Sequence, residues 1–220
     1  AGKEYFPMEG ELNPDIVEAG LIKAGALDGS TSRVHPVGFE VLPRPPVLCS
    51  GCPHRPVYQA LKNIHADVFG DIGCYTLGAL KPLNAMHTCI CMGASIGMAD
   101  GVQQVSGSKK PIVAVIGDST FLHSGITGLL DAVYNQAPII LVILDNRATA
   151  MTGGQQHPGT GYTLQGEVAP QVNLFELVKA LGVKRVYDVD SYNLDKTIEI
   201  LNEASEIKEP TVLITNQPCV

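Results

Sequence analysis

The stretch that decides the fold runs from Pro111 to Asp145: PIVAVIG at 111–117, then Asp118-Ser119-Thr120, a segment of helical period near 121–136, and APIILVILD at 137–145. Both flanking runs are short, continuous and rich in Val and Ile, as strands buried on two faces are. Between them Ile126, Leu129, Leu130 and Val133 fall at i, i+3, i+4 and i+7, which predicts a helix with one face packed on the sheet. Strand, helix and strand make one βαβ unit.

The same alternation extends in both directions. Asn173 with Glu176 reads as a capping box for a helix to Leu181, Gly182 ends it, and a strand over 183–189 follows. A helix near 193–207 and the strand TVLIT complete that side. Upstream, helices near 54–64 and 90–105 flank a strand in DVFGDIG. No internal repeat is found. The expected fold is α/β, an open, mostly parallel sheet with helices on both faces. Residues 49–220 read as this folded unit. Residues 1–48, rich in proline and glycine, with the helical pattern PDIVEAGLIKAG and the stiff PRPP at 43–46, read as a linker or arm from a preceding domain.

The chain has 220 residues, 45% of them hydrophobic and 17% charged, with a mean hydropathy of +0.14. That composition excludes intrinsic disorder, and a core of this size stands without disulfides. A net charge of -7 and a pI near 5.3 argue against nucleic acid as a partner. No run approaches the ~18 apolar residues of a membrane span, so no membrane is expected. The opening AGKEYFPMEGEL reads as neither signal nor transit peptide; without an initiator Met, a fragment or processed chain is expected. Six cysteines without a secretory signal point to metal or redox chemistry in a reducing cytoplasm.

In an open parallel sheet, ligands sit at the carboxyl ends of strands. Two such ends are Gly117-Asp118-Ser119-Thr120 and Asp145-Asn146, on neighbouring strands. The Asp118 carboxylate and the Asn146 amide oxygen are hard donors suited to Mg²⁺ or Ca²⁺, and a diphosphate could add further oxygens. GDST followed by LDN resembles the GDG to NN signature of thiamine diphosphate enzymes. That resemblance implies Asp118, Asn146 and the carbonyl of Ala148 as Mg²⁺ ligands, with Gly117, Ser119 and Thr120 against the diphosphate. Ser119 and Asp145 depart from the signature without touching either metal side chain.

Cys49 and Cys52 lie on a turn before a helix, Cys74 ends GDIGC, and Cys219 follows the last strand. By composition, zinc and iron-sulfur are both open. Taken together and in order, CSGCPH, GDIGCY, CMGAS, GDSTFLHSG, LDN and TAMTGGQ resemble the thiamine-binding part of the 2-oxoacid:ferredoxin oxidoreductases, and within them the large (alpha) subunits of the indolepyruvate enzymes. The resemblance covers roughly residues 41–220. It implies a four-iron four-sulfur cluster on Cys49, Cys52, Cys74 and Cys219, the last resting on the shortest motif. It also implies cofactor contacts from Gly73, Cys74 and Tyr75, from Cys91, Met92 and Gly93, and from Thr149, Ala150 and Met151. His54 and His123 would serve as catalytic groups near cofactor or substrate. Thr152–Gln171 has the composition of a mobile active-site loop.

The implied reaction is oxidative decarboxylation of an aryl pyruvate such as indolepyruvate, with electrons leaving singly for ferredoxin and coenzyme A taking the acyl group. The implied partners are the remaining domains of the alpha subunit, a smaller beta subunit and ferredoxin, in an oligomer. These residues would form the diphosphate-binding domain, inactive alone, since the carboxylate that activates the aminopyrimidine belongs to another domain. Two alternatives remain at this point: half of a non-redox thiamine decarboxylase, and a structural zinc-binding α/β module.

Overall fold

Three six-residue strands buried along their length, β2 (Ile112–Gly117), β3 (Ile140–Asp145) and β5 (Thr211–Asn216), form the middle of a five-stranded sheet. Two strands flank them, β1 (Asp67–Phe69) and β4 (Arg185–Asp190). Every pairing is parallel, in the order β1-β2-β3-β5-β4. The computed structural model describes residues 2–29, 42 and 45–220. It divides into Ala1–Pro45 and Pro46–Val220, and the sheet belongs to the second unit. Of the first unit's expected features, the helix is present as α1 (Pro14–Lys23), capped by Asn13, whose side chain accepts from Ile16 N. Pro43 and Arg44 of the PRPP segment lie outside the described residues.

The handedness of parallel crossovers explains how the helices divide. From β1 through β4 the chain advances in one direction across the sheet, so α3 (Ala94–Val105), α5 (Ile126–Tyr134) and α6 (Leu174–Ala180) share one face. There Ile96, Leu129 and Val178 pack with Ile116 and Ile143. Between β4 and β5 it steps back, which puts α7 (Leu194–Ser205) on the opposite face beside α2 (His54–Asn63). There Tyr58, Leu61 and Leu201 close on Val113, Val115 and Leu213.

Four local expectations shift. In DVFGDIG only Asp67–Phe69 is strand; the Gly70 amide then bonds Thr88 O, and a Cβ on Gly70 would meet Met86 Sδ at 1.8 Å. The helix expected from residue 90 starts at Ala94, because Gly93 turns there at φ 88°. The helix expected near 121 starts at Asp118 as one α turn, α4 (Asp118–Thr120), followed by a π turn over Phe121–Gly125. Leu130, read as part of the sheet-facing stripe, is 51% exposed. Ile126, Leu129 and Val133 of that stripe do pack on the core, with Gly125 and Ala132 buried beside them, and a Cβ on Gly128 would meet Ile96 Cβ at 3.2 Å. Small residues that allow close approach leave no mark in a count of large apolar side chains.

Candidate functional site

The carboxyl ends of β2 and β3 open into a cleft of about 500 Å³, solvent at its mouth included. It is lined by His54, Ile72, Gly73, Cys74, Tyr75, Met92, Gly117, Asp118, Ser119, Thr120, Asn146 and the run Ala148–Thr152. Fourteen of the expected site residues therefore converge, from five separate stretches of chain.

Asp118 is buried where β2 passes into α4. Its Oδ1 accepts from the Ser119 amide at 2.7 Å and its Oδ2 from the Arg147 amide at 2.8 Å. Arg147 adopts the left-handed conformation, φ 55°, so the chain turns sharply after β3. One polar atom of the Asn146 amide lies 2.9 Å from Ala148 O and 3.2 Å from Asp118 Oδ1. If that atom is nitrogen, it donates to both. If it is oxygen, three acceptors face one another with no proton between them, an arrangement that a cation stabilises. With the amide oxygen turned inward the donor set is all oxygen and fits Mg²⁺. Burial, reinforced by the Asp118 charge, pushes the neighbouring Asp145 up to about 6.

The four cysteines expected to act together are also gathered. Arg55 holds their first turn, its Nε donating to Cys49 O at 2.9 Å and its terminal nitrogen to Leu48 O. The Tyr192 hydroxyl donates to Gly51 O at 2.6 Å from the far end of β4. Beyond β5 the Cys219 amide bonds Asn146 O at 2.9 Å, which ties the last cysteine to the Asp118 site. Burial raises the Cys52 thiol, and charge on Cys49, Cys74 or Cys219 raises it further. Burial raises Cys74 as well, with Cys219 and Cys49 adding to it. Among the described residues, no group of three or more His, Cys, Asp or Glu side chains is arranged to hold a metal ion as it stands.

His54 is 3% exposed, between the cysteines and the Asp118 cleft, with its ring edge-on to Tyr75 at 5.9 Å. Burial pushes its pKa down to about 4 against the opposing pull of Asp118, so the imidazole is neutral at pH 7. Tyr75 in turn is fixed by its hydroxyl, which donates to Ile72 O at 2.8 Å.

A family profile described as the C-terminal TPP-binding domain of thiamine pyrophosphate enzymes matches residues 71–215, from the loop after β1 into β5. This chain belongs to the thiamine pyrophosphate enzymes. It is 42% identical to indolepyruvate oxidoreductase subunit IorA of Archaeoglobus fulgidus, over 98% of this chain and 36% of that protein. It is 40% identical to the IorA subunit of Methanothermobacter thermautotrophicus, over 96% of this chain and 35% of that one. The chain thus spans about a third of the length of these relatives. The fold is also that of a 2-oxoglutarate:ferredoxin oxidoreductase from Magnetococcus marinus, solved with 2-oxoglutarate, coenzyme A and succinyl-CoA bound. The TM-score is 0.68 at 16% identity, covering 80% of this chain and 65% of that one. The resemblance read from the motifs is the one these relatives carry.

Three expected contact residues of this TPP-binding domain do not line the cleft. His123 is exposed on the π turn, and Cys91 is exposed. The Gly93 amide is turned onto the buried Asp71 carboxylate at 2.9 Å. Four residues went unread in the sequence. Ile72 and Thr152 line the cleft within motifs already singled out. Asp71, fully buried, receives the amides of Ile72, Gly93 and Ser95 and so joins the GDIGC loop to the start of α3. His157 lies behind Asp118, with Nε2 3.2 Å from Oδ2. Its one signal in sequence was a lone His among Gly, Pro and Gln.

Proposed function

We propose that this domain anchors thiamine diphosphate through Mg²⁺ in a 2-oxoacid:ferredoxin oxidoreductase that converts indolepyruvate, or a related aryl pyruvate, to acyl-CoA and passes electrons to ferredoxin. The observation that carries the reading is the meeting of Asp118 Oδ1, the Asn146 amide and Ala148 O at two adjacent strand ends. These would hold the Mg²⁺, while Gly117, Ser119 and Thr120 would face the diphosphate at the start of the helical segment. Gly73, Cys74, Tyr75, Met92, Thr149, Ala150 and Met151 would wall in the remainder of the cofactor. When bound, thiamine diphosphate supplies the carbanion chemistry that lets a 2-oxo acid lose CO₂. His54, buried and neutral, offers a ring nitrogen able to accept a proton at the cleft wall, and with Tyr75 it excludes water there.

Cys49, Cys52, Cys74 and Cys219 would carry a four-iron four-sulfur cluster. The mutual perturbation of these four thiols and the backbone bond that ties Cys219 to the Asp118 site support this reading, each thiolate of such a cluster taking a different iron. The remaining domains of the alpha subunit, a smaller beta subunit and ferredoxin complete the assembly in a reducing cytoplasm. Among the described residues, no helix is long and apolar enough to cross a membrane.

The test is ferredoxin reduction by the full complex given indolepyruvate, coenzyme A, thiamine diphosphate and Mg²⁺. Turnover that Asp118→Ala abolishes while the visible absorbance of the cluster persists is expected. A wild-type complex that neither releases CO₂ from aryl pyruvates nor reduces ferredoxin overturns the reading.

A further inference from the structure

His157 belongs to the segment that leaves the cleft after Thr152, and it is not a lining residue of the cleft. Its side chain is nonetheless 4% exposed, and its Nε2 has no hydrogen-bond partner of good geometry despite being enclosed. Its Nδ1 accepts the Gly159 amide at 3.2 Å, which assigns the proton of the neutral ring to Nε2. Nε2 lies 3.2 Å from Asp118 Oδ2, within reach of a hydrogen bond on a small turn of the ring. The two oxygens of Asp118 thus have different surroundings. Oδ1 faces Asn146 and Ala148, and Oδ2 faces the Arg147 amide and His157.

We propose that His157 is a positioning residue that orients the Asp118 carboxylate from behind, so that Oδ1 is presented to the cation that carries the cofactor diphosphate. The inference rests on the metal role of Asp118 given above. A neighbour that fixes a ligating carboxylate strengthens metal binding without touching the metal, and losing such a partner typically costs roughly 10–100-fold in metal affinity. Gly159 belongs to the same device. A Cβ there would meet His157 Cε1 at 2.9 Å and Nδ1 at 3.2 Å, so only a glycine lets the ring lie against the backbone that fixes its tautomer.

The test is titration of Mn²⁺ into the full chain with thiamine diphosphate present, free Mn²⁺ being followed by electron paramagnetic resonance, alongside thermal unfolding without metal. His157→Ala is expected to weaken Mn²⁺ binding by about 10–100-fold, and His157→Gln, which keeps an N–H donor, to recover most of it. Gly159→Ala displaces the ring without removing it and is expected to weaken binding in the same direction; it decides the matter if His157→Ala does not fold. A purely structural His157 would lower the melting temperature of both His157 variants and leave the Mn²⁺ affinity of folded protein unchanged, which overturns the proposal. Asp118→Ala separates the two claims. If it abolishes Mn²⁺ binding while His157→Ala and Gly159→Ala do not weaken it, only the positioning role fails. If Asp118→Ala binds like the wild type, the metal assignment fails and the positioning role with it.

Discussion

Gly117→Ala isolates one contact between the sheet and the cleft. Gly117 ends β2 at φ -79° and ψ 158°, a conformation open to any residue, so alanine brings no backbone strain. Its added methyl would lie 2.6 Å from Tyr75 Cε1 and 3.3 Å from Cζ. Tyr75 is 4% exposed, anchored through its hydroxyl to Ile72 O and packed against His54, so the ring has little room to retreat. Overpacking of this kind costs about 1–3 kcal/mol, and for a unit of this size each kcal/mol lowers Tm by roughly 2–4 °C. Urea denaturation should therefore show a lower midpoint with an unchanged slope. The cost should vanish in a Tyr75→Ala background, where the ring is gone, so that the double-mutant cycle gives a coupling as large as the single effect. A Gly117→Ala protein as stable as the wild type, or one equally destabilised in both backgrounds, would refute the reasoning.

Ile143→Ala, in the fully buried middle of β3, should cost about 2–5 kcal/mol, whereas Leu130→Ala on the exposed side of α5 should stay within about 0.5 kcal/mol by denaturant titration. Asp71→Asn turns an amide group toward the N–H donors of Gly93 and Ser95 and should cost roughly 2–4 kcal/mol, measured the same way; a neutral effect would mean that the buried carboxylate does not join its two loops. Tyr192→Phe removes the bond to Gly51 O and, if the proposed cluster is carried by the cysteines, should speed the loss of its visible absorbance in air while changing stability by only about 1 kcal/mol; identical bleaching rates would mean that the bond does not support the cysteine turn.

Much of this was legible from residues alone, because the central strands are continuous apolar runs and their carboxyl ends carry the polar motifs. Pro111 to Asp145 specified the βαβ unit, and Asp118 and Asn146 fell together as the parallel register Gly117↔Leu144 requires. Cys219 was tied to Asn146 by one backbone bond past the end of β5, which a two-residue motif could only suggest. The insertion of β5 between β3 and β4 was not legible, since strand order depends on where α7 crosses and not on the periodicity of any segment. The helical stripe held at Ile126, Leu129 and Val133 and missed only at Leu130, because Gly125, Gly128 and Ala132 pack by proximity, a property that hydropathy does not register. His123 looked apt from its place just after the Asp118 loop, but the π turn there exposes it. His157 acts across 39 residues of chain through a single ring nitrogen, and no spacing rule reaches that far.

The central claim is that Asp118, Asn146 and Ala148 bind a cation that carries a diphosphate, and calorimetric titration of thiamine diphosphate into the full chain with and without Mg²⁺ tests it most directly. Binding that needs Mg²⁺ and is lost in Asp118→Ala while the fold survives is the predicted result. Equal binding with and without Mg²⁺, or by the Asp118→Ala protein, would contradict the account.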